Sequence, residues 1–336
     1  MKYLITGGSG YIGSRLTELL AERDDTEQVV ISDLRPPRAP YPKTTYVEMD
    51  VRDPGMRTLL ETEKPDVLIH LAFVLNPMHD EKKMYDIDVN GTQNVLHAAT
   101  LAGTKHLLVT SSTTAYGAWP DNPVPMSEEH PVRGMPGYAY ARDKTEIDRM
   151  CQLWAARHDD RTMTIVRPCI VFGPTVDNYL IRLWTNTPFT PIIKGVDAEL
   201  QFVHEDDVVD ALSRLVTERK PGIFNVTGDG TIKIAEAAAL APSGEAGQVE
   251  AEPRHRFFLR VESQDAPGRA AAVNQSVGPE DQLRLVCNNR KPSPVERIGA
   301  LVRGDDWAPL GTSDGVDDSG PDAEAVGSAL ESTQGA

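Results

Sequence analysis

The chain has 336 residues, 40% of them hydrophobic, enough apolar mass to close one large core or two ordinary ones. A formal net charge of -16 argues against nucleic acid as a partner, because that binding rests on Lys and Arg neutralising phosphates. Three scattered cysteines, Cys151, Cys169 and Cys287, fit neither a disulfide framework nor a paired-cysteine zinc site, and no apolar run suits a signal peptide or a membrane span, so a cytoplasmic setting is expected.

In chain order, short apolar strands are expected over 2–6, 28–32, 44–48, 67–71, 106–111, 162–167 and 222–226. Helical runs fall between them, near 11–23, 53–63, 84–102, 138–158 and 206–219. Strand alternating with helix predicts an α/β fold, a doubly wound parallel sheet of the Rossmann kind with helices on both faces. Beyond residue 228 the rhythm fades, and Phe257, Phe258 and Trp307 are the remaining aromatics. From Gly304 onward there are eight acidic residues and no Lys or Arg, the composition of a disordered acidic tail. The expected organisation is a dinucleotide-binding domain over 1–175, then 176–240 as the start of a substrate region with a helix and strand returning to that domain. An atypical, smaller C-terminal region follows over 241–303, and the tail occupies 304–336.

The first strand runs into Thr6-Gly7-Gly8-Ser9-Gly10-Tyr11-Ile12-Gly13. A cofactor pyrophosphate needs backbone amides at a helix start and residues without a Cβ where it approaches closely. A glycine turn alone could be just a tight loop. This one follows an apolar strand, opens an amphipathic helix (Ile12, Leu16, Leu19, Leu20), and is followed at the end of the second strand by Asp33, placed to accept from adenosine ribose hydroxyls. An acid there repels a 2′-phosphate, which favours NAD over NADP, although Arg35 and Arg38 lie close by.

Tyr140 and Lys144 are four residues apart, on one face of a helix and within reach of each other, a pattern that an ordinary solvated face also produces. The strand before that helix ends in Val109-Thr110-Ser111-Ser112-Thr113-Thr114, a hydroxyl cluster at the carboxyl edge of a parallel sheet, where such folds bind ligands.

With these residues assembled, the chain resembles the extended short-chain dehydrogenase/reductases, the NAD-dependent epimerase/dehydratase family that includes UDP-glucose 4-epimerase. The resemblance covers about residues 1–235 and rests on the glycine turn, Asp50-Val51, His70-Leu71-Ala72, Asn90-Gly91-Thr92, Ser111-Ser112 ahead of Tyr116-Gly117, Tyr140 with Lys144, Arg167-Pro168, Gly173-Pro174 and Phe202 to Asp207. It implies that Lys144 binds the nicotinamide ribose and lowers the pKa of Tyr140, whose phenolate takes a proton from a substrate hydroxyl. Ser112, or Thr113 if the register slips by one, would orient that hydroxyl. Gly7, Gly10, Tyr11, Ile12, Gly13 and Asp33 would hold the cofactor, Asp50 and Val51 would contact adenine, Leu71 and Ala72 would line its path, and Asn90 would brace the strand edge.

His204 beside three acids suggests a metal site, but neighbours on an extended strand point to opposite faces, so no metal is expected; Asp206 or Asp207 is expected to cap the following helix. Asp177, Asn178, Arg182 and Lys194 lie where the family's substrate region begins, and a cation there would suit a diphosphate. Sugar 4,6-dehydratases of the family carry Asp-Glu after the catalytic hydroxyl, where this chain has Thr113-Thr114, which disfavours dehydration. The expected activity is nucleotide-sugar epimerisation. A small-alcohol dehydrogenase or ketone reductase, and a non-catalytic NAD-binding regulator, stay open as alternatives. The expected partner is a small molecule, possibly a nucleotide sugar, with a homodimer compatible with the family. After about Ala241 the chain departs from the family, so residues 242–303 read equally as a pocket lid, a disordered extension or a segment translated out of frame.

Overall fold

The computed structural model describes residues 1–76, 78–173, 175, 176, 182 and 199–233. The elements in order are β1 (Lys2–Thr6), α1 (Tyr11–Glu22), β2 (Gln28–Asp33), β3 (Thr44–Glu48), α2 (Met56–Glu63), β4 (Val67–His70), α3 (Glu81–Tyr85), a π turn (Asp86–Asn90), α4 (Gly91–Ala102), β5 (His106–Thr110), a 3₁₀ turn (Thr113–Tyr116), α5 (Ala139–Ala156), β6 (Thr162–Pro168), β7 (Ile170–Phe172), β8 (Glu199–Leu200), β9 (Phe202–His204), α6 (Glu205–Thr217), β10 (Gly222–Val226) and β11 (Ile232–Lys233). The expected regions 241–303 and 304–336, with Asp177, Asn178 and Lys194, lie outside the described residues.

Seven strands form one parallel sheet in the order β10-β6-β5-β4-β1-β2-β3. Strand side chains alternate between faces, so each strand feeds two cores. Tyr3, Ile5, Val29, Ile69 and Leu108 pack with Leu16 and Leu20 of α1 and with Val208, Leu212 and Leu215 of α6. Leu4, Val30, Leu68, Leu107 and Val109 pack on the opposite face with α2, α4 and α5 through Met56, Leu60, Val95, Ile147 and Trp154. The doubly wound sheet follows from those buried-on-both-sides strands. Strand order reverses at β1, which pairs with both β2 and β4, and the crevice at their carboxyl ends is where open α/β sheets place ligands.

Two differences from the sequence reading matter at that crevice. The helix expected over 84–102 is α3, the π turn and α4 in continuous succession. Two short extra pairings, β7 with β9 in parallel and β8 with β11 antiparallel, carry the chain away from the main sheet. Among the described residues no helix is long and apolar enough to cross a membrane.

Candidate active site

The glycine turn is built for close approach. A Cβ on Gly13 would sit 2.0 Å from the Gly7 carbonyl oxygen, and one on Gly7, whose φ is +74°, would sit 2.7 Å from the Ala72 nitrogen. Those contacts bring Leu71 and Ala72, beyond the end of β4, against the turn. Gly10 caps α1 without a side-chain hydrogen bond, and no acidic residue stands in the first turn, which Tyr11 and Ile12 open. The helix therefore offers free amides and an uncompensated positive end. The Ser9 hydroxyl is buried there with no hydrogen-bond partner among the described residues. Asp33, at the end of β2, accepts from the Ser9 amide at 3.0 Å and from the Arg35 amide at 3.2 Å, which fixes its carboxylate over the turn. Open amides, a cradle that any Cβ would fill and an anchored acid fit a dinucleotide.

Asp50 and Val51 lie just beyond β3. The Asp50 carboxylate is held by the Arg52 guanidinium at 2.6 and 2.9 Å, which lowers its pKa, and Arg52 reaches on to Asp86 at 2.8 Å. Val51 is buried in the second core, where a Cβ on Gly91 would come within 2.7 Å of it. Asn90 does not brace the strand edge: it is exposed and donates to Asp86 at 2.8 Å. The inward residue is Asp88, 1% exposed, whose Oδ1 accepts from the Val74 amide at 2.8 Å. The π turn decides this, because it changes the helical repeat locally and with it which side chains face the sheet.

Tyr140 and Lys144 converge as their spacing predicts. Both lie on α5, Tyr140 half-buried and Lys144 2% exposed, with the Lys144 ammonium 5.9 Å from the centre of the Tyr140 ring. Lys144 Nζ donates to the Thr110 carbonyl at the end of β5, 3.0 Å away, and lies 3.1 Å from the centre of the Phe73 ring. Burial pulls its pKa well below that of a free lysine, and the Asp88 charge opposes that fall. Ser112 is buried and caps the 3₁₀ turn, its Oγ accepting from the Thr114 amide at 3.2 Å; Thr113, the alternative hydroxyl, is buried beside it. His70, at the end of β4, is buried between Thr6 Oγ1 at 2.7 Å and Thr92 Oγ1 at 3.0 Å, and burial lowers its pKa to about 3, so it is a neutral scaffold residue.

The capping expectation at residue 206 is corrected. His204 has extended backbone and is itself the cap of α6, its Nδ1 accepting from the Asp206 amide at 3.2 Å, while Asp206 and Asp207 already lie in the first turn, where their charges meet the helix's positive end. Arg182 is exposed.

Sequence reasoning missed Phe73, Asp88 and Glu205. Glu205 is fully buried; its carboxylate takes hydrogen bonds from the Tyr11 hydroxyl, from Arg15 at 3.1 Å and from the Thr175 hydroxyl at 2.9 Å, joining the glycine-turn helix to the segment after β7. A Cβ on Gly173 would collide with it at 2.4 Å, which accounts for that glycine. An acid between a His and two Asp reads as a solvated helix start, so no local signal marks it.

The sequence model of the NAD dependent epimerase/dehydratase family matches residues 3–227, and the chain belongs to that family. It is 27% identical over 245 residues to an uncharacterized protein of Mycobacterium tuberculosis, an alignment spanning 71% of this chain and 65% of that protein. A UDP-glucose 4-epimerase of Lactobacillus helveticus is 31% identical over 273 residues, covering 71% of this chain and 81% of its own. Among solved structures, MoeE5 in complex with UDP-glucuronic acid and NAD is 25% identical with a TM-score of 0.61, covering 70% of this chain and 80% of its own. NAD is thus the cofactor the family is named for.

Proposed function

We propose that this chain is an NAD-dependent nucleotide-sugar epimerase that inverts a hydroxyl-bearing carbon. The observation that carries the reading is the Tyr140–Lys144 pair on α5, at the carboxyl edge of the sheet, with the lysine buried and bonded to the end of β5. Lys144, as an ammonium, favours the Tyr140 phenolate by its charge, and the phenolate takes the proton from the substrate hydroxyl. Ser112 orients that oxygen. NAD, held by the glycine turn and Asp33, would supply a reversible hydride acceptor for the same carbon, so that inversion needs no outside oxidant. Tyr140 gives its proton back in the second half, so no net oxidation occurs. Two features support epimerisation over other outcomes: Thr113 and Thr114 stand where dehydratases carry an acid pair, and curated relatives include UDP-glucose 4-epimerases of Lactobacillus helveticus and Mycolicibacterium smegmatis.

The test is to incubate the purified protein with NAD and UDP-glucose, follow the 4-epimer by chromatography and reduced cofactor by absorbance. The expected result is the epimer without net NADH, and a rate roughly 10²- to 10⁴-fold lower in Tyr140→Phe, which keeps NAD binding. Net NADH accumulation would assign the chain to the dehydrogenases. NAD binding with no turnover of any nucleotide sugar or alcohol would support the regulator instead.

A further inference from the structure

The carboxyl edge of β4 and β5 holds a second layer of residues behind Lys144 that no role described so far uses. Phe73 presents its ring face to the Lys144 ammonium, 3.1 Å from the ring centre, and packs against His70 with the rings tilted by 58° and centroids 4.6 Å apart. A cation against an aromatic face is attracted by the ring quadrupole, most strongly where water is excluded. The segment that carries Phe73 has no regular structure of its own, and its backbone is pinned by the Val74 amide donating to Asp88 Oδ1 at 2.8 Å. Asp88 is in turn fixed by its carbonyl, which accepts from the Thr92 hydroxyl at 2.5 Å, and Thr92 is held by the His70 ring. The second carboxylate oxygen of Asp88 is buried with no hydrogen-bond partner among the described residues. An ionised carboxylate so placed is costly unless an opposite charge faces it.

We propose that Phe73 and Asp88 are positioning residues that form a seat for the Lys144 ammonium, Asp88 supplying the compensating charge and pinning the segment from which Phe73 supplies its ring. The inference rests on the reading of Lys144 as the charged partner of Tyr140. Among the described residues, the groups whose charge or dipole acts on Lys144 come from four elements. β4 contributes neutral His70, the π turn Asp88, β5 the Thr110 carbonyl, and α5 contributes Tyr140, Asp143, Asp148 and Cys151. Asp148 is already bound by Arg167, Asp143 is met by Arg142, and burial keeps the Cys151 thiol protonated, while Asp88 is the largest of the charges that oppose the fall of the Lys144 pKa. Asp88 and Lys144 each favour the other's charged form: burial raises the pKa of the first and lowers that of the second, and each opposes the other's shift. Without the seat, burial alone would drive Lys144 toward the neutral amine and remove the charge that favours a Tyr140 phenolate.

The experiment reads Lys144 directly, without turnover. Protein labelled with ¹³C at the lysine ε-carbon is titrated by NMR, the Lys144 signal being assigned by its disappearance in Lys144→Met. Asp88→Asn, which keeps an acceptor for the Val74 amide, should lower the Lys144 midpoint by roughly one pH unit or more, and Phe73→Leu by roughly half a unit. In the unsubstituted protein the Phe73 ring signals should move with the same midpoint as Lys144, a measurement that needs no variant to fold. A midpoint that stays put in either variant, or Phe73 signals flat through the Lys144 titration, overturns the seat. An active epimerase with an indifferent Lys144 midpoint would sink this inference alone, whereas a seat confirmed in a protein that turns nothing over would sink the proposed function alone.

Discussion

Helix α5 carries two buried charge clusters one turn apart, and they are built in opposite ways. At Asp148 every charge is met. Arg167, 1% exposed, donates to both Asp148 oxygens at 2.7 and 2.8 Å and to the Tyr116 hydroxyl at 2.7 Å, and that hydroxyl donates to Asn225 at 2.8 Å. The network ties α5, β6, the 3₁₀ turn and β10 into one block. At Lys144 the ammonium donates to the Thr110 carbonyl, and the Asp88 carboxylate keeps an oxygen with no hydrogen-bond partner among the described residues. A satisfied buried pair holds geometry, and its pKa values move away from the working range: Asp148 is lowered and Arg167 raised. An under-satisfied pair stays poised to exchange protons. The difference separates a brace from a reactive site more sharply than burial does, because both clusters are equally buried.

The contrast can be broken most forcefully at Lys144. Lys144→Met should lower epimerase turnover by roughly 10²- to 10⁴-fold while costing less in denaturant unfolding than removal of Arg167 does, because Asp88, whose pKa burial already raises, can take up a proton once the ammonium is gone, whereas Asp148 stays ionised. A stability loss as large as that of the Arg167 variant would show that the pair is a brace after all. At the other cluster, Arg167→Met should cost about 3–5 kcal/mol in denaturant unfolding, because Asp148 is left as an uncompensated buried carboxylate, yet the folded fraction should keep its NAD affinity. A loss below about 1 kcal/mol would place that network among the dispensable ones.

A third buried titratable group sharpens the rule. His106 stands at the start of β5, at the opposite end of the strands from the crevice, buried, with neither ring nitrogen hydrogen-bonded among the described residues and a pKa lowered by burial to about 4. An unpartnered group far from the crevice should affect stability only. Because its folded pKa lies below the unfolded value, the unfolded state binds the proton first as pH falls through about 6.5, and the contribution of neutral His106 is lost progressively down to about 4. His106→Leu should therefore gain on the unsubstituted protein by about 2 kcal/mol between pH 8 and pH 5, with turnover at pH 8 unaltered. The difference between the two proteins isolates His106 from Asp88 and Asp143, whose raised pKa values act in the opposite direction over the same range. A constant difference across that range would contradict the assignment.

Much of this arrangement was legible along the chain. The seven strands of the main sheet read correctly within a residue or so, because parallel strands buried on both faces are short apolar runs bounded by turns. The elements that carry the glycine turn, Asp33 and the Tyr140–Lys144 pair were legible because each is a spacing held within one strand–turn–helix unit. The short strands β7, β8, β9 and β11 were not legible: two or three residues carry no period. The resemblance implies Asn90 as the brace of the strand edge, but the π turn over Asp86–Asn90 leaves Asn90 exposed and turns Asp88 inward, which no local spacing shows. Asp206 or Asp207 was taken for the cap because the side chain chosen as cap depends on where the extended backbone ends, at His204, and not on which acids stand nearby.

Local spacing by itself determined the sheet, the cofactor turn, the acid at the end of β2 and the face on which Tyr140 and Lys144 lie, since those follow from helix and strand periodicity and from glycine's freedom to let backbone approach backbone. Only the tertiary structure decided what surrounds the lysine. Phe73 and Asp88 come from the unit that runs from β4 to α4 and Thr110 from the end of β5, 34 residues and more from Lys144 in sequence, and it is the sheet that brings them together. The same holds for Glu205, which reaches Tyr11 across 194 residues. Charges meet by folding and not by spacing, so what sets their protonation is absent from any local motif.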